Sequence, residues 1–291
     1  MPRAPIWRPR WSVYSRPNPD SFGRSSHPTL LCLDVGNTQI HGGVFENDVL
    51  RAQFRKSTHP LGTADELGVF FSAVLRENGI DPRAITRTAI CSVVPAALFA
   101  LRQACISYCK SQPFVLQAGV KTGLKVRYRN PHEVGSDRIA NAIAALQRHP
   151  GRDILVVDCG TATTFDVITA TGDYLGGAIL PGIGVSLDSL ASKTARLPRV
   201  ELARPEVALG RSTVESIQSG VYHGHVGAIR QILSLLQIEA FASQQPRIIG
   251  TGGFAWLFEE ESVFDEIVPE LVLEGLKYAE GLNRDATPVA S

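Results

Sequence analysis

Two short stretches of this chain combine residue types that could hold a polyphosphate. Leu30-Leu31-Cys32-Leu33 is an apolar run that ends in Asp34-Val35-Gly36-Asn37-Thr38, and Ile154-Leu155-Val156-Val157 ends in Asp158-Cys159-Gly160-Thr161-Ala162. A strand that ends in Asp-x-Gly followed by hydroxyl residues does three things. Glycine permits a tight turn and a close backbone approach, exposed N–H groups and the hydroxyl donate to phosphate oxygens, and the carboxylate meets a metal ion or a water from the strand end. One such stretch is also what an ordinary hairpin turn carries. Two of them, each heading a similar run of elements, would grip a polyphosphate from both sides, which is the positioning and charge neutralisation that phosphoryl transfer requires.

A third constellation is Tyr128-Arg129-Asn130-Pro131-His132-Glu133-Val134-Gly135-Ser136-Asp137-Arg138. It leads into a helix with Ile139, Ala142, Ile143 and Leu146 on one face, and Ser136 is the expected N-cap. An acid in a first helical turn complements the helix dipole. If that turn faces a cleft between the two loops, Asp137 is instead a candidate general base for an acceptor hydroxyl and Arg138 a clamp for a carboxylate. Gly176-Gly177-Ala178-Ile179-Leu180-Pro181-Gly182 reads as a strand that turns into a helix or touches substrate, and Arg247-Ile248-Ile249-Gly250-Thr251-Gly252-Gly253 as a strand running into a glycine turn where a nucleotide could lie against bare backbone. His41, His223 and His225 have no companions at metal-ligand spacing.

The elements that must position these residues follow from periodicity and punctuation. Residues 29–35, 39–45 and 50–54 read as a three-stranded meander with a turn at Glu46-Asn47-Asp48. A helix over 63–78, stopped by Gly79, precedes a strand at 88–93, a second helix over 95–110 and a short strand at 113–117. After His149-Pro150-Gly151 the pattern restarts with a strand at 154–157, so the second half repeats the first. The expected divisions are a basic N-terminal extension over 1–28, one lobe over 29–148 and another over 149–291. A long helix over 212–237 contains Gly220, Gly224 and Gly227 on a shared face. Each interior glycine costs about 1 kcal/mol against alanine, so a tightly packed interface, such as one between subunits, is expected there.

Composition bounds the answer. The chain has 291 residues, 44% hydrophobic and 20% charged, which is ordinary for a globular protein of two domains. A net charge of +1 argues against a generally basic nucleic-acid-binding surface. No run of 18 apolar residues is present to cross a membrane, and the N-terminus lacks the apolar segment of a secretory signal. Cys32, Cys91, Cys105, Cys109 and Cys159 are odd in number and scattered, which fits reduced thiols and a cytoplasmic protein. The first 28 residues, with five arginines, one aspartate and several prolines and serines, cannot build a core.

Taken in order, the two Asp-Gly loops, the segment from Tyr128 to Arg138, Gly176 to Gly182, Ala195-Arg196-Leu197-Pro198 and Gly210-Arg211-Ser212-Thr213 resemble type III pantothenate kinase, in the acetate kinase, sugar kinase, heat-shock chaperone and actin superfamily, from about residue 30 to about residue 255. The resemblance implies an α/β fold of two actin-like (ribonuclease H-like) lobes, each a mixed sheet flanked by helices, with a cleft between them. It implies ATP-dependent phosphorylation of the pantothenate 4′-hydroxyl, the first step of coenzyme A synthesis. By the same carry-over, Asp34, Val35, Gly36, Asn37, Thr38, Gln39, Ile40, His41 and Thr161 bind ATP. Tyr128, Gly135, Ser136, Asp137, Arg138 and Thr213 touch pantothenate, Asp137 is the base, and Asp158 holds a monovalent cation such as potassium or ammonium. Magnesium is expected to arrive with ATP near Asp34. A homodimer with the substrate pocket near its interface is implied as well. Ser136 stands where the family often has alanine. The rival readings are a Baf-type transcriptional accessory protein without kinase activity, which lost acidic or glycine positions would favour, and a kinase of the same fold for another hydroxyl acid.

Overall fold

The structure is a computed structural model that describes residues 28–284 except 195 and 243. The basic extension assigned to the N-terminus thus lies outside the described residues apart from its last one.

The meander forms as its residues dictate: β1 (Thr29–Val35), β2 (Gln39–Glu46) and β3 (Val49–Ser57) are antiparallel neighbours. Asn47 and Asp48 make the second turn with φ of 49° and 65°, a left-handed pair that these two residue types tolerate and that matches the twist of a hairpin. Helix α1 (Ala64–Glu77) starts on a reciprocal cap in which Thr63 Oγ1 accepts from Glu66 N–H and Glu66 accepts from Thr63 N–H at 2.7 Å. It ends at Asn78 before Gly79, which takes φ of 72°. Strand β4 (Ile85–Ser92), helix α2 (Pro95–Cys109) and strand β5 (Phe114–Val115) complete a sheet ordered β3-β2-β1-β4-β5, with β4 parallel to both neighbours.

The second sheet uses β6 (Lys125–Val126), β7 (Ile154–Cys159), β8 (Ala162–Ile168), β9 (Asp173–Pro181), β10 (Arg247–Thr251) and β11 (Glu266–Ile267), in the order β11-β10-β7-β8-β9-β6. Leaving out edge strand β6, this is the first sheet's order repeated: an antiparallel meander of three, then two parallel strands on the far side of the first. The internal duplication is therefore structural, and the fold is α/β with two actin-like mixed sheets flanked by helices. Helices α3 (Ser136–Arg148), α4 (Ile183–Lys193), α5 (Thr213–Phe241) and α6 (Leu271–Asn283) complete it.

Strand alternation explains where the chemistry points. On β1, Leu31, Leu33 and Val35 pack with α1 and α2, whereas Leu30 and Cys32 pack with Ile143 of α3 and Leu273 of α6. Asp34 shares the second face. On β7, Leu155 and Val157 pack with Tyr222 and Ile229 of α5, whereas Ile154 and Val156 pack with Ala142 and Ala145 of α3. Asp158 shares that face. Helix α3 thus lies between the two sheets and is buried nearly all round, which its run of alanines permits. The one-sided apolar face expected for it is a partial reading, because Ala140, Asn141 and Ala144 are also fully buried. Helix α6 approaches so closely that an added Cβ on Gly275 would stand 1.7 Å from the Ala140 carbonyl oxygen.

Ser136 is not the N-cap of α3. Gly135 takes that position, and the Ser136 hydroxyl accepts from Ser92 N–H at 3.0 Å, fastening the helix start to β4. On α5 an added Cβ at Gly220, Gly224 or Gly227 would meet nothing within 4 Å, so among the described residues no element packs on those positions. All five cysteines are free and buried. Among the described residues no helix is long and apolar enough to cross a membrane.

Candidate active site

The loop after β1 is a tight turn closed by Gly36 N–H donating to the Gln39 carbonyl at 3.0 Å. Thr58, just beyond β3, clamps it: its hydroxyl donates to Gly36 O at 2.7 Å and its N–H to Thr38 O at 2.9 Å. Asn37, Thr38 and Gln39 are left exposed, while Val35 and Ile40 belong to the core and could meet a ligand only through their backbone. His41 is buried against Gln53, and burial, with Arg55 nearby, lowers its pKa to about 4, so it is neutral at physiological pH.

The loop after β7 is built alike but is not a copy. Its exposed hydroxyl belongs to Thr161, one residue earlier than in the first loop, and Ala162 stands where Thr38 does. Gly182 and Gly252 wall it closely, since an added Cβ on Gly182 would lie 2.3 Å from Gly160 O and one on Gly252 2.3 Å from Asp158 Oδ1. Gly252 therefore supports the loop, whereas Gly253 beside it faces open space. The two loops touch: Thr38 Oγ1 and Thr161 Oγ1 are 2.9 Å apart.

Where the loops meet, the first turn of α3 brings Asp137. Gly135 leaves room for it, because a Cβ there would come within 2.4 Å of Asp137 Oδ1. Burial raises the Asp137 pKa despite the hydrogen bond from Arg138 N–H at 2.8 Å. Asp34 is pushed up to about 7 by burial and then by the charge of Asp137, against a hydrogen bond from the Cys91 thiol at 3.2 Å. Asp158 is likewise pushed up to about 7 by burial and by Asp137, against Asn141 Nδ2 donating to Oδ2 at 2.9 Å. Three carboxylates from β1, β7 and α3 therefore share one electrostatic neighbourhood, and Arg55 of β3 is a cation that acts on both Asp34 and Asp158.

Such a group attracts cations. Asp34 and Asp158 are hard oxygen donors, and the fully buried Asn141 Oδ1 is an acceptor without a hydrogen-bond partner. Among the described residues no group of three or more His, Cys, Asp and Glu side chains forms a ready metal cage. A cation here would complete its shell with water or phosphate oxygens, as magnesium commonly does.

Comparison with known proteins gives the family. A family model described as type III pantothenate kinase matches residues 30–234. The chain belongs to the type III pantothenate kinase family. It is 52% identical over 254 residues to a type III pantothenate kinase of Legionella pneumophila (strain Paris), covering 87% of this chain and 99% of the relative. A type III pantothenate kinase of Elusimicrobium minutum is 44% identical over 255 residues, covering 88% and 99%. Among solved structures, a conserved putative Baf family transcriptional activator from Campylobacter jejuni superposes with a TM-score of 0.55 at 19% identity, covering 88% of this chain and 99% of that one. A putative 2-dehydro-3-deoxygalactonokinase from Sinorhizobium meliloti gives 0.54 at 14%, covering 89% and 100%. At those identities the likeness is one of fold.

Within this pantothenate kinase family chain, Arg138 is more engaged than its sequence position implies. Its Nε donates to Asp166 Oδ1 at 2.7 Å, and the fully buried Tyr174 donates its hydroxyl to the same oxygen at 2.5 Å. Tyr128 lies half-buried against Gly176, whose added Cβ would meet its ring at 3.1 Å. Thr213 is elsewhere: it lines an open groove of about 830 Å³ with Leu190, Leu197, Gly210 and Ile217, and none of the three carboxylates lines that groove. Sequence reasoning missed Thr58, Cys91, Asn141, Asp166 and Tyr174. Two of them carried a signal. Asn141 lies four residues after Asp137 and so on the same helical face, and Asp166 interrupts the apolar run of β8.

Proposed function

We propose that this chain transfers the γ-phosphoryl group of ATP to the 4′-hydroxyl of pantothenate, the first step of coenzyme A synthesis. The observation that carries the reading is the convergence of Asp34, Asp137 and Asp158 at the place where Thr38 and Thr161 meet, in a chain of this family.

The exposed backbone of residues 37–39 and the hydroxyls of Thr38 and Thr161 cradle the triphosphate. Asp137 accepts the proton of the attacking hydroxyl. Its raised pKa moves it toward the operating pH, where a base combines the correct protonation state with proton affinity. Arg138, with Tyr128 beside it, binds the acceptor's carboxylate. Asp34 would hold magnesium and Asp158 a potassium or ammonium ion, and such cations would supply charge neutralisation for the transferring group. A second copy of the chain covers the glycine face of α5 and brings Thr213 to the pantothenate pocket. The exposed Gly220, Gly224 and Gly227, with Val214, Leu235 and Ile238 exposed on the same helix, support a homodimer.

Purified protein supplied with ATP, magnesium and potassium should release ADP at a rate that depends on added pantothenate. Release that ignores pantothenate overturns the reading. Exchanging potassium for a bulky organic cation should suppress the rate if Asp158 holds the ion.

A further inference from the structure

The mechanism above uses Arg138 but not the buried group behind it. Asp166 is fully buried in the middle of β8, and three side chains converge on its carboxylate. Arg138 Nε donates to Oδ1 at 2.7 Å, Tyr174 Oη to Oδ1 at 2.5 Å, and Thr164 Oγ1 approaches Oδ2 at 3.4 Å. Tyr174 contributes twice, because its ring also lies 5.9 Å from the Arg138 guanidinium carbon. Taking two charges out of water costs more than a stable core requires, since apolar side chains of similar size commonly serve stability as well or better. The pair joins the residue next to Asp137 to the second sheet, so its use is to be sought in the site.

We infer that Asp166, held by Tyr174, is a positioning residue that aims Arg138 at the carboxylate of the acceptor and keeps its guanidinium away from Asp137. This rests on the functional reading above. Arg138 Nη2 lies 2.7 Å from Asp166 Oδ1 but is not aligned for a hydrogen bond, so it is a buried donor without a hydrogen-bond partner. An incoming carboxylate would supply that partner. Without Asp166 the guanidinium would be free to turn toward Asp137, whose pKa Arg138 already lowers. A base paired in that way is weaker and blocked.

The test is steady-state ADP release by wild type, Asp166→Asn and Tyr174→Phe, with pantothenate and ATP varied separately and kcat followed against pH. Asp166→Asn should raise the KM for pantothenate about 10- to 100-fold, the scale of a hydrogen bond to a charged group. It should leave the KM for ATP within about twofold and move the acid limb of kcat to lower pH. Tyr174→Phe keeps the ring and removes one donor, so it should shift the same two quantities in the same direction by about fivefold or less. It also covers the case in which Asp166→Asn fails to fold. Unchanged pantothenate KM and acid limb in whichever variants fold would overturn the inference while wild-type turnover stands, and so would an equal rise in both KM values. A wild type without pantothenate-dependent turnover would overturn the functional reading first.

Discussion

Replacing Gly275 with alanine tests whether the contact between α6 and α3 sets the site. The added methyl would stand 1.7 Å from the Ala140 carbonyl oxygen and 2.5 Å from its carbon. Ordinary contact begins near 3.4 Å, so the separation must double, and the obstruction is helix backbone that cannot swing aside as a side chain would. In an unobstructed helix the same change should stabilise by about 1 kcal/mol. Overpacking costs about 1–3 kcal/mol, and a backbone obstruction belongs at the upper end, so the net expectation is a loss of about 1–2 kcal/mol. Helix α3 carries Asp137, Arg138 and Asn141, and a misplacement of about 1 Å in a catalytic array can cost about 100-fold in rate. Urea unfolding at constant m-value and pantothenate-dependent ADP release would measure the two effects. Gly281→Ala on the same helix is the control, because its methyl would meet only Arg284 Nη2 at 3.8 Å. A Gly275→Ala protein as stable as wild type, with kcat/KM within about twofold, would refute the idea that this contact fixes helix α3.

Asp137→Asn should lower kcat by at least about 100-fold while nucleotide affinity, read by titration calorimetry, is retained; turnover at the wild-type rate would remove Asp137 as the base. Asp158 has a folded pKa of about 7 against an ordinary value of 3.8, so the folded state keeps a proton that the unfolded chain releases, a stabilising contribution present at low pH and lost as pH rises through 7. Asparagine does not titrate, so without ligands Asp158→Asn should gain stability relative to wild type between pH 5 and pH 8, and a difference in urea midpoint that is constant with pH would contradict this. Thr58→Val keeps the shape and removes the hydroxyl bond to Gly36 O, and the KM for ATP should rise about fivefold; no change would mean that Thr58 N–H alone holds the loop. Gly224→Leu should weaken self-association in sedimentation if the open face of α5 meets a second copy.

What was legible in the sequence was local. The two Asp-Gly loops and the Gly79 stop each depend on residues a few positions apart, and they form where expected. What was not legible depends on partners far away in the chain. Ser136 has the residue type of an N-cap, but its hydroxyl binds Ser92, 44 positions earlier. Arg138 was read as free for a ligand, yet it is held by Asp166, 28 positions later. Helix α3 was read as one-sided because its periodicity rests on Ile139, Ile143 and Leu146, and alanine suits a buried face and a solvated one equally well. Only the packing of α6, which arrives after the second sheet is complete, makes Ala140 a contact residue.

The duplication explains why the helix between the sheets must be small. Each half ends its first strand with an aspartate on the face opposite to Leu33 or Val157, and in both halves that face turns inward. Two inward carboxylates need something between them that separates their charges yet lets the loops beyond them touch, as Thr38 and Thr161 do. A helix with large side chains on both sides would hold the sheets too far apart for that contact. Helix α3 meets the requirement with alanines along its length, Asn141 to hydrogen-bond Asp158, and a third aspartate at its N-terminal end. The cost is visible in the pKa of about 7 at both Asp34 and Asp158. A site that raises its own carboxylates in this way is arranged for the cations that would relieve them.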